Sequence, residues 1–196
     1  MFNKTLKQKN ISTNDQDQVL GSSSSKYLDS TRKYEYQPLS SREYRKAFGQ
    51  FSSNLSQTVD ASEHIKIDLD SQEELQSGTH SIDFDKGDIK IKQSGMYMIL
   101  AGPQVCRAKG SIARWIDFWI RINNRDLPNS SVRRAVGDFK QKDVVPLNAV
   151  TALKSGDTIN IMMTSEKDDE GIGIEFIEPD GEPGIPSIIV TIVQLD

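Results

Sequence analysis

Few residues in this 196-residue chain are of the types that carry out chemistry. There are two histidines, His64 and His80, and one cysteine, Cys106. Nucleophilic catalysis needs a Ser or Cys beside a base, and a third group to orient that base. Cys106 stands at the end of an apolar run, before Arg107-Ala108-Lys109-Gly110, with no histidine or carboxylate close to it in the sequence. Basic neighbours lower a thiol pKa, but a plain strand-end cysteine is the simpler reading. Both histidines sit in or beside short alternating segments and read as ordinary strand or loop residues. Two histidines and one cysteine match no familiar zinc spacing. No catalytic residues, metal centre or cofactor is therefore expected, and the chain reads as a non-enzyme.

Two acidic loops keep calcium open. Lys167-Asp168-Asp169-Glu170 and Glu178-Pro179-Asp180-Gly181-Glu182 offer oxygen ligands if they converge, although the spacing is not that of an EF-hand. The alternative is a pair of solvated loops. Arg133-Arg134, with Arg107, Lys109 and Arg114, makes a basic patch if those segments are neighbours. Such a patch would meet glycans or acidic protein surfaces, or would simply be solvated.

The elements that must position these groups are strands. His64-Ile65-Lys66-Ile67-Asp68-Leu69, Ser81-Ile82-Asp83-Phe84 and Asp88-Ile89-Lys90-Ile91-Lys92 alternate apolar and polar residues, as half-buried strands do. Longer strands are expected at 95–105, 112–123, 144–153, 158–165, 171–177 and 186–195. Turn residues separate them, among them Asn123-Asn124-Arg125-Asp126 and Ser155-Gly156-Asp157. Eight or nine strands without a long helix predict an all-β, two-sheet antiparallel sandwich of the single jelly-roll type.

Three of these strands are apolar on both faces. Ile116, Phe118, Ile120 and Ile122 suit the core, but the opposite face of that strand carries Trp115 and Trp119. Met96, Met98 and Leu100 lie opposite Tyr97, Ile99 and Ala101, while Ile189 and Val193 alternate with Ile188, Val190 and Ile192. A half-solvated sheet hides one face only. Trp115, Trp119, Met96, Met98, Leu100, Ile189 and Val193 are therefore expected to form an interface between copies of the chain, with cover by loops or by the N-terminal segment as the alternative.

Residues 1–58 have a different texture and are assigned to a polar N-terminal arm, with the jelly-roll domain at 59–196. The arm holds Ser22-Ser23-Ser24-Ser25, many Asn and Gln, and isolated aromatics. Residues 1–50 carry nine Lys/Arg against five Asp/Glu, whereas the chain as a whole has a net charge of −4. Without dense Arg/Lys runs this argues against a nucleic-acid arm. Tyr27, Tyr34, Tyr36 and Phe48 are candidate anchors for pockets on neighbouring chains; a disordered tail is the other reading. Ser40 with Glu43 forms a capping-box pattern that predicts a short helix reaching Phe48 and ending at Gly49. Lys4, Lys7 and Lys9 with no apolar stretch behind them predict no signal peptide, and no window is apolar enough for a membrane-spanning helix.

Four motifs carry a resemblance. They are Ser94-Gly95-Met96-Tyr97 at the head of a strand, Ile116–Ile122 running into Asn123-Asn124, Leu153-Lys154-Ser155-Gly156-Asp157-Thr158-Ile159, and Pro186-Ser187-Ile188-Ile189-Val190-Thr191-Ile192 as a closing strand. In this order, across residues 62–196, the chain resembles the jelly-roll superfamily of tumour necrosis factor and the globular heads of complement-q proteins. The resemblance implies that Gly95 opens a strand, that Tyr97 packs inward, that Gly156-Asp157 forms a tight turn, and that copies associate about a three-fold axis through such apolar strand faces. The chain lacks the collagen-like run, heptad stalk and membrane anchor of secreted ligands in that family. It is similar instead to single-jelly-roll virion proteins of the vertex (penton) or minor capsid type. That likeness implies a structural protein of the virion, made in the host cytoplasm, pentameric at a vertex and in contact with neighbouring capsid proteins. The alternative is a trimeric receptor-binding or adhesion head.

Overall fold

The computed structural model describes residues 46–72, 82–85, 87–140 and 142–196. All of them belong to the second of the chain's two units, Glu43–Asp196. Every regular element among the described residues is a strand. In chain order these are β1 (Phe48–Ser53), β2 (Gln57–Thr58), β3 (Ile65–Lys66), β4 (Ser71–Gln72), β5 (Ile82–Asp85), β6 (Asp88–Ile91), β7 (Gly95–Arg107) and β8 (Arg114–Ile122). They continue with β9 (Arg125–Asp126), β10 (Val132–Val136), β11 (Asp143–Val144), β12 (Leu147–Leu153), β13 (Thr158–Ser165), β14 (Ile172–Ile174) and β15 (Ile188–Gln194).

They form two antiparallel sheets packed face to face. Sheet one runs β2-β14-β7-β15-β1-β4, with β12 and β11 also paired to β7. Sheet two runs β10-β8-β13-β6-β5, with β3 on β13 and β9 on β8. Between them lies a core in which Phe51, Tyr97, Ile99, Phe118, Ile120, Leu147, Ile159 and Ile161 are buried. Alternation dictates which side chains enter it, because successive residues of a strand point to opposite faces. Tyr97 packs inward and is buried, and its hydroxyl donates to Gln93 O at 2.7 Å.

The chain crosses between the sheets repeatedly. It goes from β6 in sheet two to β7 in sheet one, back to β8, on to β12, back to β13, and finally to β15. The β12–β13 crossing is the expected tight turn. Gly156 there has φ +96°, a region open to glycine, and Asp157 Oδ2 accepts from Lys154 N at 2.7 Å.

Sequence and structure differ at the N-terminal side. Residues 48–58, assigned to the arm, contain β1 and β2, and β1 pairs with β15 along its whole length (Phe48↔Val193 to Ser53↔Ile188). No helix reaches Phe48; Lys46 and Ala47 lead directly into a strand. The rest of the expected helix lies outside the described residues. In β1 a Cβ on Gly49 would stand 2.8 Å from Phe51 Cζ, so the ring fills the space that the glycine leaves. This Gly- and Ser-rich strand has little periodicity of its own, and its partner β15 sets its place. Strand β10, Val-Arg-Arg-Ala-Val, was also hidden, because its arginines interrupt the alternation.

At Gly173 in β14 two backbones approach closely. A Cβ there would lie 1.9 Å from Gln57 O, a backbone atom that cannot turn aside. Gly173→Ala should therefore detach β2 from β14 and lower stability by about 2–3 kcal/mol, about 5–10 °C in melting temperature. Thermal unfolding against wild type checks this.

Candidate functional site

The residues with chemical potential are dispersed. Cys106 is buried in β7. Burial pushes its thiol up to about 11, and the nearby Glu175 carboxylate adds to that effect. A thiol so placed stays protonated at neutral pH, which is the reverse of an activated nucleophile. His64 stands edge-on to Trp119, with ring centroids 5.3 Å apart. His80 lies outside the described residues.

The arginines do not make a free basic patch. The Arg107 side chain is wholly buried. It donates to Lys109 O, Ile112 O, Val136 O and Gly137 O and pairs with Glu170. Arg107 thus ties together the ends of β7, β10 and the loop before β8, in the way a planar five-donor fork allows. Arg133 grips Asp117 through Nε (2.7 Å) and Nη2 (2.8 Å), and Arg134 pairs with Asp143. Arg114 lies beside Glu166 and Glu170. The first acidic loop is likewise engaged within the chain: Asp168 Oδ1 accepts from Ala61 N at 2.7 Å, and Glu170 faces Arg107. Among the described residues no group of three His, Cys, Asp or Glu side chains is placed to hold a metal. No helix among them is long and apolar enough to cross a membrane.

The two tryptophans expected at an interface are covered from within. Trp119 is only 7% exposed. Its indole Nε1 donates to Asp126 Oδ1 at 2.6 Å, Arg121 lies 5.9 Å from its ring, and His64 closes a third side. Hydrogen bonding from Arg121, opposed by burial and helped by Trp119, holds the Asp126 carboxyl below the usual range. Trp115 is half-buried, and Arg133 stacks 4.0 Å over its ring. The outer face of sheet two is thus a polar, ion-paired surface that shields its own aromatics. On this face the cover comes from Arg121, Asp126, Arg133 and His64 of the same chain.

The other expected interface residues do come together, on the outer face of sheet one. Registers place Phe48, Val193, Met98 and Val150 in one row across β1, β15, β7 and β12. The next row is Gln50, Thr191, Leu100 and Asn148, and the next begins with Ser52, Ile189 and Gly102. Met96 stands opposite Ala152. None of these positions carries a charge. Met96 keeps 37% of its surface exposed, Leu100 40%, Ile189 42% and Val150 60%. Beside them a groove of about 420 Å³ is lined by Leu100, Gly102, Val144, Pro146, Ile185 and Ile189. The sequence reading found Met96, Met98, Leu100, Ile189 and Val193; it missed Val150 and Val144, whose exposure depends on which strand ends the sheet. Of the expected arm anchors, Phe48 is the first residue of β1 and belongs to the apolar row. Tyr27, Tyr34 and Tyr36 lie outside the described residues.

The Cys106 environment gives a direct check. At pH 8 a thiol near 11 is ionised to about one part in a thousand, whereas an unperturbed one near 8.5 is ionised to roughly a quarter. Alkylation by iodoacetamide should therefore be at least about 100-fold slower in native protein than in urea-unfolded protein; comparable rates would show an accessible thiolate.

Compared with known protein families and with characterised proteins, the chain matches none.

Proposed function

We propose that this chain is a non-enzymatic assembly protein whose sandwich associates with copies of itself through the outer face of sheet one. The observation that carries the reading is the set of uncharged rows on that face, from Phe48–Val193–Met98–Val150 to Ser52–Ile189–Gly102. Large apolar areas are costly to leave in water, and these rows, which carry no charge, can meet their own copy without like-charge repulsion or an unpaired buried charge. The contrast with sheet two supports the choice of face, since there arginines and aspartates pair across the surface.

Within this reading the sandwich is a single jelly roll. The repeated crossing between sheets supports it, because jelly rolls are built from Greek keys that span two sheets. The function proposed is that of a virion capsid component, vertex-type or minor, with residues 1–45 reaching onto neighbouring chains through Tyr27, Tyr34 and Tyr36. A trimeric receptor-binding or adhesion head of the tumour necrosis factor and complement-q type is the second reading. It is favoured by the inward Tyr97 and the Gly156-Asp157 turn. Both readings use the same face, and subunit number separates them.

Leu100→Asp and Ile189→Asp test the interface. Both positions are well exposed within one chain, so monomer stability should change by less than about 1 kcal/mol. A carboxylate buried against an apolar partner should weaken association by at least about 3 kcal/mol, more than 100-fold. Sedimentation velocity across a dilution series reads both state and affinity: wild type should sediment as a pentamer (trimer, on the second reading) and the variants as monomers. A monomeric wild type at micromolar concentration overturns the proposal.

A further inference from the structure

The outer face of sheet two holds a pocket of about 500 Å³ lined by Lys66, Asp88, Asn123, Asn124, Thr158 and Asn160. Strands β3, β6 and β13 and the turn between β8 and β9 bring these residues together. Asn160 forms part of the wall and is only 9% exposed. Its Nδ2 donates to Asp88 Oδ1 at 2.8 Å. A carboxylate oxygen only accepts, so this bond fixes the orientation of the amide. The Asn160 carbonyl oxygen is left without a partner among the described residues, on the wall of a polar pocket. Lys66 Nζ donates to the same Asp88 oxygen at 2.9 Å, which leaves the second carboxylate oxygen and two ammonium protons unused. Burial alone would raise the Asp88 carboxyl, but the bonds from Lys66 and Asn160 outweigh it and hold the group below the usual range.

The two turn asparagines have different duties. Asn123 is engaged on both sides of its amide, since its Oδ1 accepts from Thr158 N at 2.9 Å and its Nδ2 donates to Asp157 Oδ1 at 2.6 Å. Asn124, with φ 62°, sits at the second position of a two-residue hairpin turn in which both central residues have positive φ. Glycine is the favoured residue there. The Asn124 amide makes no bond with a described residue, and it borders the pocket.

We propose that this pocket binds a neutral, polyhydroxylated ligand of monosaccharide size. The volume lies in the range of small-ligand sites, about 300–1,000 Å³. Its one cation and one anion cancel, so an anionic ligand meets Asp88 and a cationic ligand meets Lys66. What remains is an array of acceptors (Asp88 Oδ2 and Asn160 Oδ1) beside donors (Lys66 Nζ and the Asn124 amide). Vicinal hydroxyls, which donate and accept together, satisfy such an array. The pocket lies on the face opposite the uncharged rows, so it stays open when sheet one is covered, and its occupancy does not depend on the assembly reading.

The test is an amide-resolved NMR titration of the full chain with mannose, galactose, glucose and N-acetylglucosamine in turn, with inorganic phosphate as the charged control. At least one sugar should bind with a dissociation constant near or below about 10 mM. Its shifts should be confined to Lys66, Asp88, Asn123, Asn124 and Thr158 to Asn160. Asn124→Gly, which preserves the turn, or Asp88→Asn should weaken that binding about five- to tenfold, as loss of a bond to the ligand does. No shift with any sugar at about 100 mM, shifts lying elsewhere, affinity unchanged in both variants, or binding of phosphate alone would each overturn the proposal.

Discussion

Strand β7 constrains the rest of this sandwich. Over Gly95–Pro103 it pairs with β12 on one edge and β15 on the other, and over Gln104–Arg107 with β11 and β14. Its odd residues Tyr97, Ile99 and Ala101 face the core, while Met96, Met98 and Leu100 face out. A slip of one residue would exchange the two sets, so four other strands take their register from this alternation. Strand β1, recruited through β15, inherits that register in turn and brings Phe48 level with Met98. The far end of β7 is anchored by buried Arg107, whose guanidinium is bonded to four carbonyls and to Glu170. Removing one partner from such a buried pair commonly costs about 3–5 kcal/mol.

The same alternation produces two unlike outer surfaces. On sheet two, Asp117 with Arg133 and Asp126 with Arg121 pair across neighbouring strands, and Trp115 and Trp119 lie beneath them. Aromatic area that looks exposed in the sequence is thus withdrawn from water by the chain itself. In the rows of sheet one from Met96 to Gly102 the outward positions are Phe, Met, Leu, Val, Ile, Gln, Ser, Thr, Asn, Ala and Gly, and Met96, Leu100, Val150 and Ile189 stay exposed among the described residues. Burial of apolar area contributes roughly 25 cal/mol per Å², so covering this face favours association, whereas covering sheet two would require its ion pairs to be dehydrated. Among the described residues, polarity therefore distinguishes the uncharged rows of sheet one from the ion-paired outer face of sheet two.

Much of the sandwich was legible because its central strands are long and regular. The runs at 95–105, 112–123 and 158–165 appear within a few residues as β7, β8 and β13. What escaped were segments whose structure is imposed by partners: β1, with glycine and serines, and β10, with adjacent arginines. The site was less legible than the fold. Periodicity identifies Trp119 as lying opposite the core, but it cannot reveal that His64, fifty-five positions earlier, and Asp126, across a hairpin, close over it. Nor does a sequence show that Lys66, Asp88 and Asn160 converge, since each comes from a different strand. Arg107 looked like one member of a basic patch, and its complete burial depends on carbonyls from two separate segments and on the Glu170 carboxylate from a third.

Covalent footprinting of wild-type protein in solution, with Met96 oxidation and carbene labelling of Leu100 and Val150 read by mass spectrometry, bears most directly on self-association through sheet one. These side chains are open in a single chain and would be closed in the assembly. Labelling at all three should be suppressed in wild type at concentrations where it is oligomeric and restored on dilution to monomers, while His64 on the opposite face labels equally in both conditions. Equal labelling of Met96, Leu100 and Val150 at all concentrations would contradict association through this face.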